Sequence, residues 1–335
     1  MKFPDQFVWG TASSSYQIEG AFDVDGRGMS IWDTFSRTPG KVQNGDTGDR
    51  ACDHYNRFAE DIALMKDLGV SAYRFSIAWP RLFPKGDEVR EERGFDFYDR
   101  LINALIAAGI EPMVTLYHWD LPQALEDKGG WANRDIVAAF EHYAKACVEA
   151  FGDRVENWIT INEPWCVSWL GYSNGVHAPG KQDFNLAIAS SHHTALAHAA
   201  ATRAIRSFKS DAIVGLTLNM NNIHNESPDD QEVIDFIELN DCNINRWWIE
   251  AFTTGEYPQP LVELYGDRLQ SIMMPGDKVL LQVKTDFLGI NYYCDSYVRS
   301  PRAEDKPAIE RGFMPFPQRV DDSLPQKLAS DLTAM

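Results

Sequence analysis

The chain has 335 residues, 44% of them hydrophobic, and a formal net charge of -18. That apolar content can fill a large core, and the length allows one large domain or two ordinary ones. An acidic chain without a basic stripe argues against nucleic acid and anionic membrane surfaces as partners.

The N-terminal run Met1-Lys2-Phe3-Pro4-Asp5 has no apolar signal core, and no later segment is long enough to span a membrane, so a cytoplasmic protein is expected. A first β-rich segment follows at Val8–Ser13. Helical spacing then places Phe58, Ile62, Met65 and Leu68 on one face, with Gly69 as the stop. Ala72–Ile77 reads as the next strand. Leu101, Leu105 and Ile106 mark a second helix ending near Gly109, before a strand at Pro112–Tyr117. A helix over 136–151, a strand at Asn157–Ile161, an alanine-rich helix over 186–208 and strands at Ile213–Leu218 and Phe287–Tyr292 complete the pattern. From Ser300 onward the sequence is rich in proline and charge and reads as loop. The five cysteines, Cys52, Cys147, Cys166, Cys242 and Cys294, are scattered and form no Cys-x-x-Cys pair, as in a protein with reduced, mostly buried thiols.

Most of these strands are near-continuously apolar, as parallel strands covered on both faces are. Alternation of strand and helix predicts an α/β fold with right-handed crossovers, organised as a single domain over residues 1–335. An open doubly wound sheet and a closed (β/α)₈ barrel both fit the order. Polar residues just after each strand favour the barrel, where such ends converge on one face: Gln17 and Glu19, Arg74, His118 and Trp119, Asn162 and Glu163, Asn219, Asn291 and Tyr293. About six strands are legible where a closed barrel needs eight. No Gly-x-Gly-x-x-Gly follows a strand and no phosphate-binding loop is present.

Thr160-Ile161-Asn162-Glu163-Pro164 carries the most chemistry. A carboxyl beside an amide at a strand end suits work on a sugar: Glu163 can protonate a leaving oxygen while Asn162 holds a neighbouring hydroxyl. Trp158, Trp165 and Trp169 nearby supply indole faces for a sugar ring and also lower the local dielectric. His118 and Trp119 offer a donor and a wall, and Gln17 offers both donor and acceptor to adjacent hydroxyls. Arg74 is a charge inside an apolar strand and calls for an anion. Tyr293 can donate to the same carboxylate, whereas Tyr292 reads as a packing residue. His192 and His193 are adjacent and point about 100° apart on a helix, and no His-Glu-x-x-His or Gly-x-Ser-x-Gly occurs, so neither a metal site nor a serine hydrolase is expected.

Six stretches in this order resemble glycoside hydrolase family 1, the β-glucosidase family. They are Phe7-Val8-Trp9-Gly10-Thr11-Ala12 with Tyr16-Gln17-Ile18-Glu19-Gly20, then Tyr73-Arg74-Phe75-Ser76-Ile77-Ala78-Trp79-Pro80-Arg81, and His118-Trp119-Asp120-Leu121-Pro122. Thr160-Ile161-Asn162-Glu163-Pro164 and Phe287-Leu288-Gly289-Ile290-Asn291-Tyr292-Tyr293 follow. The resemblance implies a (β/α)₈ barrel that hydrolyses β-glucosides or cello-oligosaccharides with retention, without cofactor or metal. It implies Glu163 as acid/base and Asn162 as partner of the sugar 2-hydroxyl. Gln17, His118, Trp119 and Asn291 are implied as sugar ligands, and Arg74 and Tyr293 as support for the nucleophile.

The departure concerns that nucleophile. The family carries it in a Thr-Glu-Asn-Gly motif on strand seven, and neither Thr-Glu-Asn nor Glu-Asn-Gly occurs here. Strand eight is likewise absent, and Val320–Met335 resembles the segment just before strand seven. A retaining mechanism needs two carboxyl groups about 5–5.5 Å apart. The expectation is therefore a truncated barrel of about six βα units, inactive alone and completed by a C-terminal fragment carrying strands seven and eight. Its open strand edges would aggregate or recruit a partner, and a homo-oligomer is left open. The rival expectation is a vestigial barrel fragment that binds sugar without turnover.

Overall fold

A computed structural model gives the structure of the protein and describes residues 3–300. The expectations for the tail, a loop beyond Ser300 and the likeness of Val320–Met335 to the segment before strand seven, lie outside the described residues. The chain forms two compact units that alternate along the sequence. Among the described residues, the first comprises 3–162, Ala200–Leu216 and Thr285–Leu288; the second comprises Glu163–Ala199, Thr217–Lys284 and 289–300.

Eight strands are present among the described residues: β1 (Gly10–Ala12), β2 (Ala72–Ser76), β3 (Glu111–Tyr117), β4 (Asn157–Asn162), β5 (Ile213–Leu218), β6 (Ile223–Asn225), β7 (Phe287–Ile290) and β8 (Ser296–Val298). Six of them form one sheet in the order β1-β2-β3-β4-β5-β7. The β1–β2, β2–β3 and β3–β4 pairs are parallel, with Arg74 opposite Met113 and Val114 opposite Trp158. These six are the strands expected from the sequence, with their ends displaced by no more than two residues.

Continuous apolar character predicts burial on both faces, and the central strands obey it. Phe75, Val114, Leu116, Tyr117, Ile159 and Ile161 are all buried. The outer strands do not. Phe7, Val8 and Trp9, leading into β1, are exposed, as are Leu288 and Ile290 in β7. Each of these strands stands at an end of the sheet order and has one strand neighbour among the described residues. Ahead of β1, Phe3, Phe7 and Trp9 cluster locally, with ring centroids 4.5–4.9 Å from one another.

The helix His54–Leu68 ends at Gly69, whose φ of 75° lies in the left-handed region that favours glycine. Its buried stripe is narrower than the periodicity implies: Ile62 and Met65 are buried, whereas Leu68 is exposed. In the helix Glu92–Ala107, Leu101 and Leu105 face the core and Ile106, one step round the turn, does not. At Gly94 the same helix comes so close to the turn at Trp79–Leu82 that a Cβ would lie 2.2 Å from the Arg81 carbonyl oxygen.

Glu19 belongs to this core and not to a group of sugar ligands. Arg81 donates to it through Nε and Nη2 at 3.1 and 3.0 Å, and the Tyr98 hydroxyl donates to its other oxygen at 2.6 Å. The guanidinium also lies over the Tyr55 ring, 4.3 Å from its centroid. A buried carboxylate tolerates burial only with such partners.

In the second unit, a π-helix at Cys166–Ser173 precedes the long helix Phe184–Phe208, which belongs to this unit through Ala199. β6 and β8 pair in parallel and pack with Val233 and Phe236 of the helix Gln231–Asp241. His192 is held at both ring nitrogens, by the Tyr257 hydroxyl at 2.7 Å and by Asp277 at 2.9 Å. Trp247 stacks on Tyr257 with ring centroids 3.6 Å apart. This structural network accounts for the His192 side of the adjacent histidine pair. No helix among the described residues is long and apolar enough to cross a membrane.

Candidate active site

The first unit gathers four of the expected residues. Asn162 ends β4 and is fully buried. Arg74 is the middle residue of β2, not a residue following it, and points a guanidinium at that amide: Nη2 donates to Asn162 Oδ1 at 2.6 Å, and Nε donates to Thr115 Oγ1 at 3.0 Å. A guanidinium can only donate, so this bond assigns the oxygen of the Asn162 amide. The amide nitrogen then faces His118 Nε2 at 3.2 Å and donates to it. His118 is therefore the neutral tautomer with its proton on Nδ1. Burial, reinforced by the Arg74 charge, pushes its pKa down to about 3 and keeps it neutral.

Trp119 donates its indole N–H to the Asn162 carbonyl oxygen at 2.9 Å. Its φ of 80° is rare for a residue with a Cβ and is held by the surrounding contacts. Gln17 lies exposed on the short helix Ser15–Ile18.

In the second unit, Glu163 is 5% exposed and takes a φ of 48°, a second strained backbone position. Its N–H donates to the Thr217 carbonyl at 2.7 Å, at the end of β5. Asn291, just past β7, donates through Nδ2 to Glu163 Oε1 at 2.5 Å, and its own N–H is bonded to the Leu218 carbonyl at 2.9 Å. The other oxygen, Oε2, accepts the Cys166 thiol at 3.2 Å. Burial and the adjacent Glu163 hold the Cys166 pKa well above the usual thiol range, so it remains a thiol able to donate. Both carboxyl oxygens are thus directed by neighbours while the strand-end backbone is fixed. That arrangement suits a group that exchanges protons at one place.

The matching family model covers residues 1–330 and is described as glycosyl hydrolase family 1. The chain belongs to glycosyl hydrolase family 1. Beta-glucosidase A of Acetivibrio thermocellus is 43% identical over 314 residues, 93% of this family 1 chain and 69% of that protein. Beta-glucosidase A of Thermotoga maritima is 46% identical over 298 residues, covering 89% and 67%. Among solved structures, the Thermotoga maritima beta-glucosidase in complex with glucoimidazole superposes with a TM-score of 0.85 at 46% identity, over 88% of this chain and 67% of that one. The AHE enzyme from Alicyclobacillus herbarius gives 0.86 at 48% identity, over 90% and 67%. The α/β class and the (β/α)₈ fold type expected from the sequence hold for this family 1 chain, with six strands in its main sheet among the described residues.

Other expectations need correction. Trp158 and Trp169 are core residues, not sugar walls. The first is fully buried and donates to the Val155 carbonyl at 3.2 Å; the second packs between Phe184 and Tyr265. Trp165 gives its N–H to Asn243 at 2.5 Å. Tyr292 is exposed and bonded to Asp295 instead of packing, because β7 ends at Ile290 and leaves it beyond the sheet. Tyr293 is 84% exposed. Sequence reasoning missed the Cys166 contact, although its place three residues after Glu163, on the next helical turn, was a signal.

Proposed function

We propose that this family 1 chain is the larger part of a retaining β-glucosidase acting on terminal β-D-glucosides, including cello-oligosaccharides. The observation that carries the reading is Glu163: a buried carboxyl at a strand end, with a strained backbone and both oxygens directed by Asn291 and Cys166. In this reading Glu163 protonates the glycosidic oxygen as the bond to the leaving group breaks, then takes a proton from the water that releases the sugar. Asn162, fixed in orientation by Arg74, holds the 2-hydroxyl. Gln17, His118, Trp119 and Asn291 bind the ring, with Trp119 as the stacking wall. Arg74 and Tyr293 support the nucleophile. The residues act as one catalytic domain, in a cytoplasmic setting.

Retention requires a second carboxylate, and the 335 residues hold no Thr-Glu-Asn or Glu-Asn-Gly. We assign it to polypeptide outside these residues, as a continuation or a complementary fragment carrying the seventh and eighth strands of the barrel, which are not the β7 and β8 numbered above. The exposed side chains on and beside β1 and β7 fit such a complement, and these 335 residues alone are then inactive. The test is hydrolysis of an aryl β-glucoside by the chain alone and with a family 1 C-terminal segment, each with native Glu163 and with Glu163→Gln. The complemented native protein should hydrolyse the glucoside. The variant should lose at least about a hundredfold and recover with azide, a nucleophile that needs no general base. A complex that assembles yet stays inactive, or a variant as fast as native, would sink the assignment.

A further inference from the structure

Asp120 follows the two sugar-ligand candidates His118 and Trp119, yet it is fully buried and cannot reach a ligand itself. Its Oδ2 accepts the Ser15 hydroxyl at 2.6 Å. Ser15 spends its only hydroxyl proton on that bond and accepts in turn from Ser76 Oγ at 3.0 Å, while its backbone N–H returns to Ser76 Oγ at 2.7 Å. Ser76 is the last residue of β2, and Ser15 opens the short helix that carries Gln17. The turn is also braced from its far side: Ile31 N–H donates to the Leu121 carbonyl and Gln123 N–H to the Met29 carbonyl, both at 2.8 Å. At Trp119 itself the backbone sits at φ 80°, a conformation rare for a residue with a Cβ, which needs contacts to hold it.

We propose that Asp120 is a positioning residue for sugar recognition, tying the turn that bears His118 and Trp119 to the helix that bears Gln17. The proposal rests on the reading of those three residues as sugar ligands. It explains why a carboxyl occupies a fully buried place where an apolar residue would pack at lower cost. Oδ1 has no hydrogen-bond partner among the described residues, and the side chain that Oδ2 holds is Ser15. Loss of that bond unties the turn from the helix that bears Gln17, leaving Ser15 to Ser76 and the turn to its backbone bonds with Ile31 and Met29.

The test uses the full chain labelled with ¹⁵N-tryptophan, the Trp119 indole resonance being assigned by its absence in Trp119→Phe. Asp120→Ala should move that resonance and weaken glucose binding by about tenfold, the size of one buried hydrogen bond to a carboxyl. Asp120→Asn keeps an acceptor for Ser15 and should restore both toward native values. Val148→Ala, a core truncation elsewhere, should lower stability without moving either readout. Should Asp120→Ala fail to fold, Ser15→Ala removes the donor alone and must give the same two changes. Native-like Trp119 resonance and glucose affinity in the folded variants would overturn the proposal. If the native chain binds no glucose, the ligand reading fails, while the Trp119 resonance still decides whether Asp120 positions the turn.

Discussion

His118 and Asp120 stand two residues apart on one turn and pull the pH dependence of stability in opposite directions. Burial and Arg74 push the His118 pKa down to about 3 from 6.5. The unfolded chain takes up that proton first as pH falls, so His118 contributes stability that is present above about 6.5 and is lost toward 3. Burial is also the main cause at Asp120, where it raises the pKa from 3.8 to about 7 against the opposing Ser15 bond and Arg27 charge. Here the unfolded chain gives up its proton first, so the contribution is present below about 4 and is lost as pH rises to 7. Glu19, Tyr117 and Tyr143 are the other titratable groups that face Asp120. Across the shared window, about 2.5 pH units at about 1.4 kcal/mol each, both trends amount to ~3 kcal/mol with opposite sign. They cancel in the native chain. His118→Gln keeps an acceptor for the Asn162 amide but does not titrate, and should unmask stability falling by up to ~3 kcal/mol from pH 4 to 6.5 relative to native. Asp120→Asn should unmask the mirror trend. Urea unfolding followed by tryptophan fluorescence at half-unit intervals measures both. Variant-minus-native differences that stay flat across that window would refute the reasoning.

Three further outcomes are expected. Glu19→Gln strands the buried Arg81 charge and should cost about 3–5 kcal/mol in urea unfolding while leaving glucose affinity unchanged in the folded protein. Gly94→Ala forces a methyl against the Arg81 carbonyl and should destabilise by about 1–3 kcal/mol, read as a lower unfolding midpoint with unchanged slope. Arg74→Met removes the donor that orients the Asn162 amide and should weaken glucose binding by on the order of tenfold, with a change in the His118 imidazole resonances as the direct sign of a freed amide.

The main sheet was legible because parallel strands covered on both faces leave an unbroken apolar record, and the runs at 72–77, 112–117 and 157–161 are such records. The residues proposed for the site stand out as polar residues interrupting or closing those runs. What the sequence hid was direction. Glu19 and Gln17 differ by two positions on one short segment, yet one is sealed against Arg81 and Tyr98 and the other faces solvent. Trp158 and Trp169 look like sugar walls by composition, but a large indole is equally a core filler and only packing distinguishes the two. The strained φ at Trp119 and Glu163 left no compositional trace either, since neither position carries the glycine that would announce it.

The bond from Arg74 to the Asn162 oxygen has a consequence for selectivity. It sets the polarity of the whole chain of contacts, and at the far end His118 Nε2 presents a lone pair. Whatever replaces the Asn162 amide at that nitrogen must bring a proton. A hydroxyl does so, whereas a fluorine or an ether oxygen at the same carbon only accepts. If His118 binds a sugar hydroxyl as proposed, sugars deoxyfluorinated or O-methylated there should be discriminated against by charge sign as well as by size, with one arginine on the middle of a strand acting as the arbiter.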